Sequence, residues 1–321
     1  MLPPKNRLTI CFAHVAYRMQ ERFALRNTGV ASIEVSTREE LDARIAEADV
    51  LLCSGLWRND LIPRAPKLRF VQSISAGVDQ YDKAAFATAG IRLASAQGVN
   101  ARAVSEHAMA LILALARRLP EARDNQANRV WRGMLGDLSQ REDELGGKTL
   151  LIVGLGRIGN RLAQLAKAFD MRVLATRRNP AAGGDADEVH AMGALKSLLP
   201  QADVVALTCP LTRETERLIN AETLALLKPS AALVNVARGR CVDEPALIAA
   251  LNAGRLTAAA LDTTIEEPLA QGSPLWAMPN VFVTPHTAGE TRRYEDNVID
   301  ILIENLDRLW RGETALSNQI V

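Results

Sequence analysis

Three ionisable residues stand just past apolar runs in the C-terminal half of the chain: Arg238 beyond Ala231-Ala232-Leu233-Val234-Asn235, Glu267 beyond a run ending at Leu261, and His286 beyond Val281-Phe282-Val283. Together they are the set that reduction of a 2-oxo acid requires. Arginine binds a carboxylate through charge-assisted, often forked hydrogen bonds and polarises a carbonyl. Histidine exchanges a proton near neutral pH, and a carboxylate beside it holds the ring in the productive orientation. Taken singly, each has a plainer reading: Arg238 as a phosphate or surface arginine, Glu267 as a helix-capping acid, His286 as a strand-end histidine. What unites them is position, because open α/β sheets bind ligands beyond the carboxyl ends of their strands.

A hydride donor has its own signature upstream. Thr149-Leu150-Leu151-Ile152-Val153 is an apolar strand that runs into Gly154-Leu155-Gly156-Arg157-Ile158-Gly159 and then a helix. Gly154 permits the tight turn, Gly156 lets the backbone approach a pyrophosphate, and Gly159 lets helix and strand pack closely; Arg157 and Ile158 open the helix whose N-terminus faces the phosphates. The bare glycine pattern is common in ligand-free turns, but strand before and helix after identify a dinucleotide site. Where NAD enzymes place an acid for the ribose, about 20 residues beyond the glycines, this chain has Thr176, Arg177 and Arg178. A hydroxyl and two guanidiniums suit a 2′-phosphate, so NADPH is expected, with NAD the alternative. Asp185 and Asp187, in a Gly-rich stretch, are rivals for the ribose.

These groups need a scaffold. Short apolar runs at 8–12, 32–35, 50–53 and 68–71 alternate with helical stretches, and Thr37 opens one of these as a cap. A second alternation follows 149–153, with strands at 172–175, 204–207, 231–235, 256–261 and 281–283. Such alternation calls for an α/β protein of two doubly wound parallel-sheet domains. Residues 101–118 form a long apolar helix, 121–148 a polar stretch, and the last thirty or so residues an amphipathic helix.

Over most of its length the sequence resembles the D-isomer-specific 2-hydroxyacid dehydrogenase family. The resemblance lies in Glu144-Leu145-Gly146-Gly147-Lys148-Thr149, in Cys209-Pro210-Leu211-Thr212 with Thr215 and Asn220, in Ala237-Arg238-Gly239 with Val242-Asp243-Glu244 and Leu247, and in Thr284-Pro285-His286 with Ala288-Gly289. It implies that Arg238 binds the substrate, that His286 is the acid/base and that Glu267 is its partner. It places Cys209, Pro210, Thr215, Val236, Ala237 and Gly289 on the cofactor side and Asp262 near the nicotinamide. Ser75-Ala76-Gly77-Val78-Asp79 is similar to a loop whose N–H groups, at Ala76 and Gly77, hold the substrate carboxylate. It further implies a Rossmann nucleotide domain (101–287) inserted in a flavodoxin-like substrate domain (1–100 and 288–321), and a homodimer that the long helix helps to form. Thr263-Thr264-Ile265 departs from the apolar-aromatic stretch usual there. Leu56 and Trp57 are either substrate contacts or core, and His107 reads as structural.

Bulk properties narrow the rest. The 321 residues exceed one ordinary core, and a net charge of +1 with 4% aromatics argues against nucleic acid as a partner. The longest apolar run, 108–116, is too short to span a bilayer. Cys11, Cys53, Cys209 and Cys241 include no Cys-x-x-Cys pair, and Cys11 with His14 alone makes no metal site. The expectation is a cytoplasmic reductase of a small 2-oxo acid such as glyoxylate or hydroxypyruvate. The alternatives are a same-fold dehydrogenase for another small anion, formate or phosphite, or a nucleotide-sensing, corepressor-like binding protein.

Overall fold

A computed structural model describes residues 2–321. The chain divides into two compact units. One takes in the chain up to Asn100 together with Thr291–Val321, and the other is Ala101–Glu290. The return to the first unit thus falls at Thr291, against 288 expected from the sequence.

The first unit holds β1 (Thr9–Ala13), β2 (Ala31–Val35), β3 (Val50–Cys53), β4 (Phe70–Ser73) and β5 (Arg92–Ala94). All pair in parallel, in the order β2-β1-β3-β4-β5. β3 and β4 are buried throughout, as a sheet covered on both faces demands. One apolar cluster joins Phe12, Phe70 and Leu302; another joins Leu51, Val71, Phe86 and both Leu56 and Trp57, which are core. The helix Arg38–Arg44 opens with a complete capping box: Glu40 N–H donates to Thr37 Oγ1 at 3.1 Å, and Thr37 N–H donates back to the Glu40 carboxylate at 3.3 Å. The C-terminal helix Tyr294–Trp310 is anchored by buried Asn305, whose amide donates to Gln72 Oε1 at 3.0 Å.

The second unit holds β6 (Thr149–Val153), β7 (Arg172–Arg177), β8 (Glu188–Ala191), β9 (Val204–Leu207), β10 (Ala232–Asn235), β11 (Ala258–Leu261) and β12 (Val281–Val283). These also run parallel, in the order β12-β11-β10-β9-β6-β7-β8. The order reverses where β6 pairs with both β7 and β9, which is the switch point where doubly wound sheets take their ligands. Strand starts are tied by aspartates: Asp203 accepts from Thr149 N–H and Asp187 from Val173 N–H, both at 2.8 Å. The helix Ala101–Ala116 packs across β10 and β11. The polar stretch after it contains the helix Leu119–Ala127 and then a segment on which Trp131 and Met134 are fully exposed. No helix among the described residues is long and apolar enough to cross a membrane.

Candidate active site

The glycine loop after β6 has the steric demands its spacing predicts. Gly154 has φ +104°, and a Cβ there would lie 2.6 Å from the Cys209 Cα. A Cβ at Gly159 would lie 2.6 Å from the Gly154 carbonyl oxygen, so only glycine lets the helix Arg157–Ala168 approach the strand. At Gly156 a Cβ would meet nothing within 4 Å. That residue caps the helix without any side-chain hydrogen bond. Crowded first and third glycines, an open middle glycine and a helix N-terminus without a side-chain cap fit a pyrophosphate. The loop is rigid: Gly154 and Leu155 N–H donate to the Thr176 carbonyl at 3.0 and 2.9 Å, and Thr208 Oγ1 donates to the Gly154 carbonyl at 2.8 Å.

At the end of β7, Arg177 is half-buried and Arg178 exposed, and neither is ion-paired among the described residues. Arg177 Nη1 donates to the Gly183 carbonyl. Thr176 is fully buried and its hydroxyl has no hydrogen-bond partner among the described residues. The acidic rivals are engaged elsewhere. Asp187 holds Val173 N–H and Lys167, and Asp185 takes the Gln164 amide at 3.2 Å. The loop after β9 is internally bonded: Thr215 Oγ1 donates to the Pro210 carbonyl at 2.7 Å and accepts from Thr212 N–H at 2.7 Å. Thr215 therefore shapes the Cys209-Pro210 turn. Pro210 is exposed, while Cys209 is buried, its thiol pushed up by the neighbouring Cys241 sulfur and by burial. Asn220 caps the short helix that follows.

β10, β11 and β12 are adjacent, with Asn235, Leu261 and Val283 level across the ladder. Their carboxyl ends therefore bring three segments together. After β10, buried Asn235 clamps the turn, accepting from Ala237 N–H and donating to the Arg238 carbonyl, both at 3.0 Å. Val236 and Ala237 are buried; Arg238 is half-buried, its Nη1 donating to the Ala237 carbonyl at 2.7 Å. Gly239 lies so close to the next segment that a Cβ would stand 2.0 Å from Thr264 carbonyl atoms. On that segment the Glu267 carboxylate accepts from Thr264 N–H at 3.2 Å and faces His286 Nδ1 at 2.8 Å. A carboxylate can only accept, so Nδ1 carries the proton, and Nε2 meets no hydrogen-bond partner among the described residues. His286 itself has φ +54°, a left-handed backbone that costs a non-glycine residue about 1–3 kcal/mol.

Asp262, at the end of β11, is 2% exposed. It accepts from Thr284 Oγ1 at 2.6 Å, Thr287 N–H at 3.0 Å and Ala288 N–H at 3.1 Å. Three acceptor positions are filled and one, on Oδ2, remains. Gly289 follows, half-buried. The roles of Thr208, Asn235 and Thr284 were not visible in the sequence; the one signal was a polar residue closing an apolar strand. In the other unit, Ala76 and Gly77 N–H make no hydrogen bond among the described residues, and the hydroxyls of Ser54 and Ser75 lie 2.6 Å apart.

A family model described as the NAD binding domain of D-isomer specific 2-hydroxyacid dehydrogenases matches residues 109–288. The chain belongs to that family. This dehydrogenase is 38% identical to the glyoxylate reductase of Aeropyrum pernix over 281 residues, 86% of this chain and 84% of the relative. It is 36% identical to the glyoxylate/hydroxypyruvate reductase B of Yersinia enterocolitica over 315 residues, 96% and 95% of the two chains. Its fold matches a crystal structure of a D-isomer specific 2-hydroxyacid dehydrogenase family protein from Aeromonas salmonicida, with a TM-score of 0.85, 30% identity, and 98% and 99% of the chains covered. The 2-hydroxyacid dehydrogenase is thus an NAD(P)-dependent oxidoreductase, and the doubly wound α/β architecture expected from its sequence is the one it has.

Proposed function

We propose that this dehydrogenase reduces a small 2-oxo acid, glyoxylate or hydroxypyruvate, with NADPH as donor. The observation that carries the reaction is the His286–Glu267 pair at 2.8 Å, formed between the segments that follow β12 and β11, with the Arg238 turn following the adjacent β10. The names of the two reductase relatives support the substrate class. Arg177 and Arg178, unpaired with any carboxylate among the described residues, support NADPH.

The glycine loop and helix N-terminus would hold the pyrophosphate, Arg177 and Arg178 the 2′-phosphate end, and Asp262 Oδ2 the carboxamide; Thr176, expected at the 2′-phosphate from the sequence, is buried within β7 and is not among these contacts. When bound, the nicotinamide supplies the hydride. Arg238 binds the carboxylate and polarises the carbonyl. Protonated His286 gives its Nε2 proton to the carbonyl oxygen; in the reverse direction the same nitrogen takes it from the alcohol. Glu267 keeps the ring's Nδ1–H engaged, so that Nε2 is the nitrogen that exchanges the proton. We also infer a homodimer: Trp131, Met134 and Leu138 are 99%, 104% and 75% exposed within one stretch of eight residues, and large apolar side chains exposed together mark interaction sites. Four unpaired, buried cysteines support a reducing, cytoplasmic setting.

The test is nicotinamide absorbance with NADPH and NADH against glyoxylate, hydroxypyruvate, pyruvate and bulkier 2-oxo acids. Fast NADPH oxidation by one of the first two is expected. Tight cofactor binding without oxidation by any of them would overturn the reading.

A further inference from the structure

The helix Ala101–Ala116 brings one titratable side chain to the underside of the His286 loop. His107 Nε2 lies 3.0 Å from Thr284 Oγ1 and 3.5 Å from Asp262 Oδ1. Proton accounting orders the contacts. The Asp262 carboxylate can only accept, so Thr284 gives it the single hydroxyl proton across 2.6 Å. The Thr284 oxygen must then accept, which makes His107 Nε2–H the donor. Asp262 passes the restraint on, holding Thr287 and Ala288 N–H. The chain therefore grips His286 from both sides, at Thr284 before it and at Thr287 and Ala288 after it. His286 sits between these grips at φ +54°, a conformation that persists only where its surroundings over-determine it. No lysine or arginine pairs with buried Asp262 among the described residues, so His107 is also the only basic side chain beside that charge.

We propose that His107 is a positioning residue: its Nε2–H completes the chain His107–Thr284–Asp262 that holds the His286 backbone in its left-handed conformation and so aims Nε2 of His286. This rests on the reading of His286 as the acid/base. It replaces the purely structural role that the sequence assigns to His107.

The test combines imidazole 15N NMR with three variants, His107→Leu, His107→Gln and His286→Ala, each assayed for kcat per NADPH-binding site, for NADPH affinity by fluorescence and for Tm. The NMR spectrum of the unmodified protein should show His107 as the Nε2–H tautomer. His107→Leu should lower kcat roughly 10-fold, the scale of one neutral hydrogen bond, with NADPH affinity unchanged. His107→Gln, which keeps a donor, should stay within about twofold of the parent. An Nδ1–H tautomer, an undiminished kcat in His107→Leu, or equal losses in the Leu and Gln variants would each overturn the positioning role; if His107→Leu does not fold, the tautomer and the Gln variant still decide. His286→Ala separates the two ideas. An inactive His286→Ala beside a fully active His107→Leu sinks the positioning role alone, whereas an active His286→Ala sinks the acid/base reading.

Discussion

At the scale of single residues, the proposed reaction turns on one proton at His286 and one charge at Arg238. His286→Ala should reduce kcat by about 10²–10⁴-fold, the range that general acid–base catalysis contributes, with NADPH affinity intact by fluorescence titration. Undiminished turnover would remove His286 from the mechanism. Arg177 meets a different demand. It ends β7 and is ion-paired with no carboxylate among the described residues, and the rival Asp187 is engaged by Lys167 and Val173 N–H. Arg177→Asp should lower the NADPH/NADH ratio of kcat/KM roughly 10–100-fold, as loss of hydrogen bonds to a charged phosphate predicts. An unchanged ratio would leave the cofactor preference to other residues.

At the scale of elements, the site is built by close approach. Gly239 lets the Arg238 turn lie against Thr264, and a Cβ there would meet backbone, which cannot swing aside. Gly239→Ala should therefore cost about 1–3 kcal/mol in urea unfolding and lower activity as the Arg238 and Glu267 segments are forced apart. A variant with parental stability and kcat would show that the contact is not limiting. The start of β7 carries a pH signature. The Lys167 ammonium, together with Val173 N–H, holds the Asp187 carboxyl below its ordinary value. A carboxyl depressed on folding stabilises fully above its unfolded pKa, about 3.9, and that contribution disappears as pH falls through the lower folded value. Asp187→Asn should lose stability at neutral pH and show a shallower fall in Tm between about pH 5 and pH 2; parallel curves for the two proteins would exclude this origin.

At the scale of the whole molecule, the proposed dimer rests on the exposed Trp131, Met134 and Leu138. If the proposed dimer forms through this segment, replacing Trp131 and Met134 together by glutamate should convert it to monomer in analytical ultracentrifugation. A monomeric parent protein would remove the assignment. The segment lies in a stretch that reads as polar, since its few large apolar residues fall between charges and follow no helical or strand period. Only their exposure in the folded chain singles them out.

The sequence alone determined the α/β class and the glycine cradle, because strand burial on both faces writes continuous apolar runs and because the cradle is one contiguous segment. It missed β5 and β8. β5 is three residues long, and β8 lies at the sheet edge, half-exposed and polar, so neither leaves an apolar run. The expected strands that formed begin and end within two residues of their predicted bounds, β4, β7 and β11 differing most, as local periodicity allows. Tertiary structure decided which polar groups meet. Thr215 and Asp187 turned inward to shape their own elements, Leu56 and Trp57 joined the core, and His107 met Thr284 across a long stretch of chain. No local spacing encodes such partners, because a hydrogen bond between distant segments is set by how the strands order and the helices cross, and that order exists only once the chain has folded.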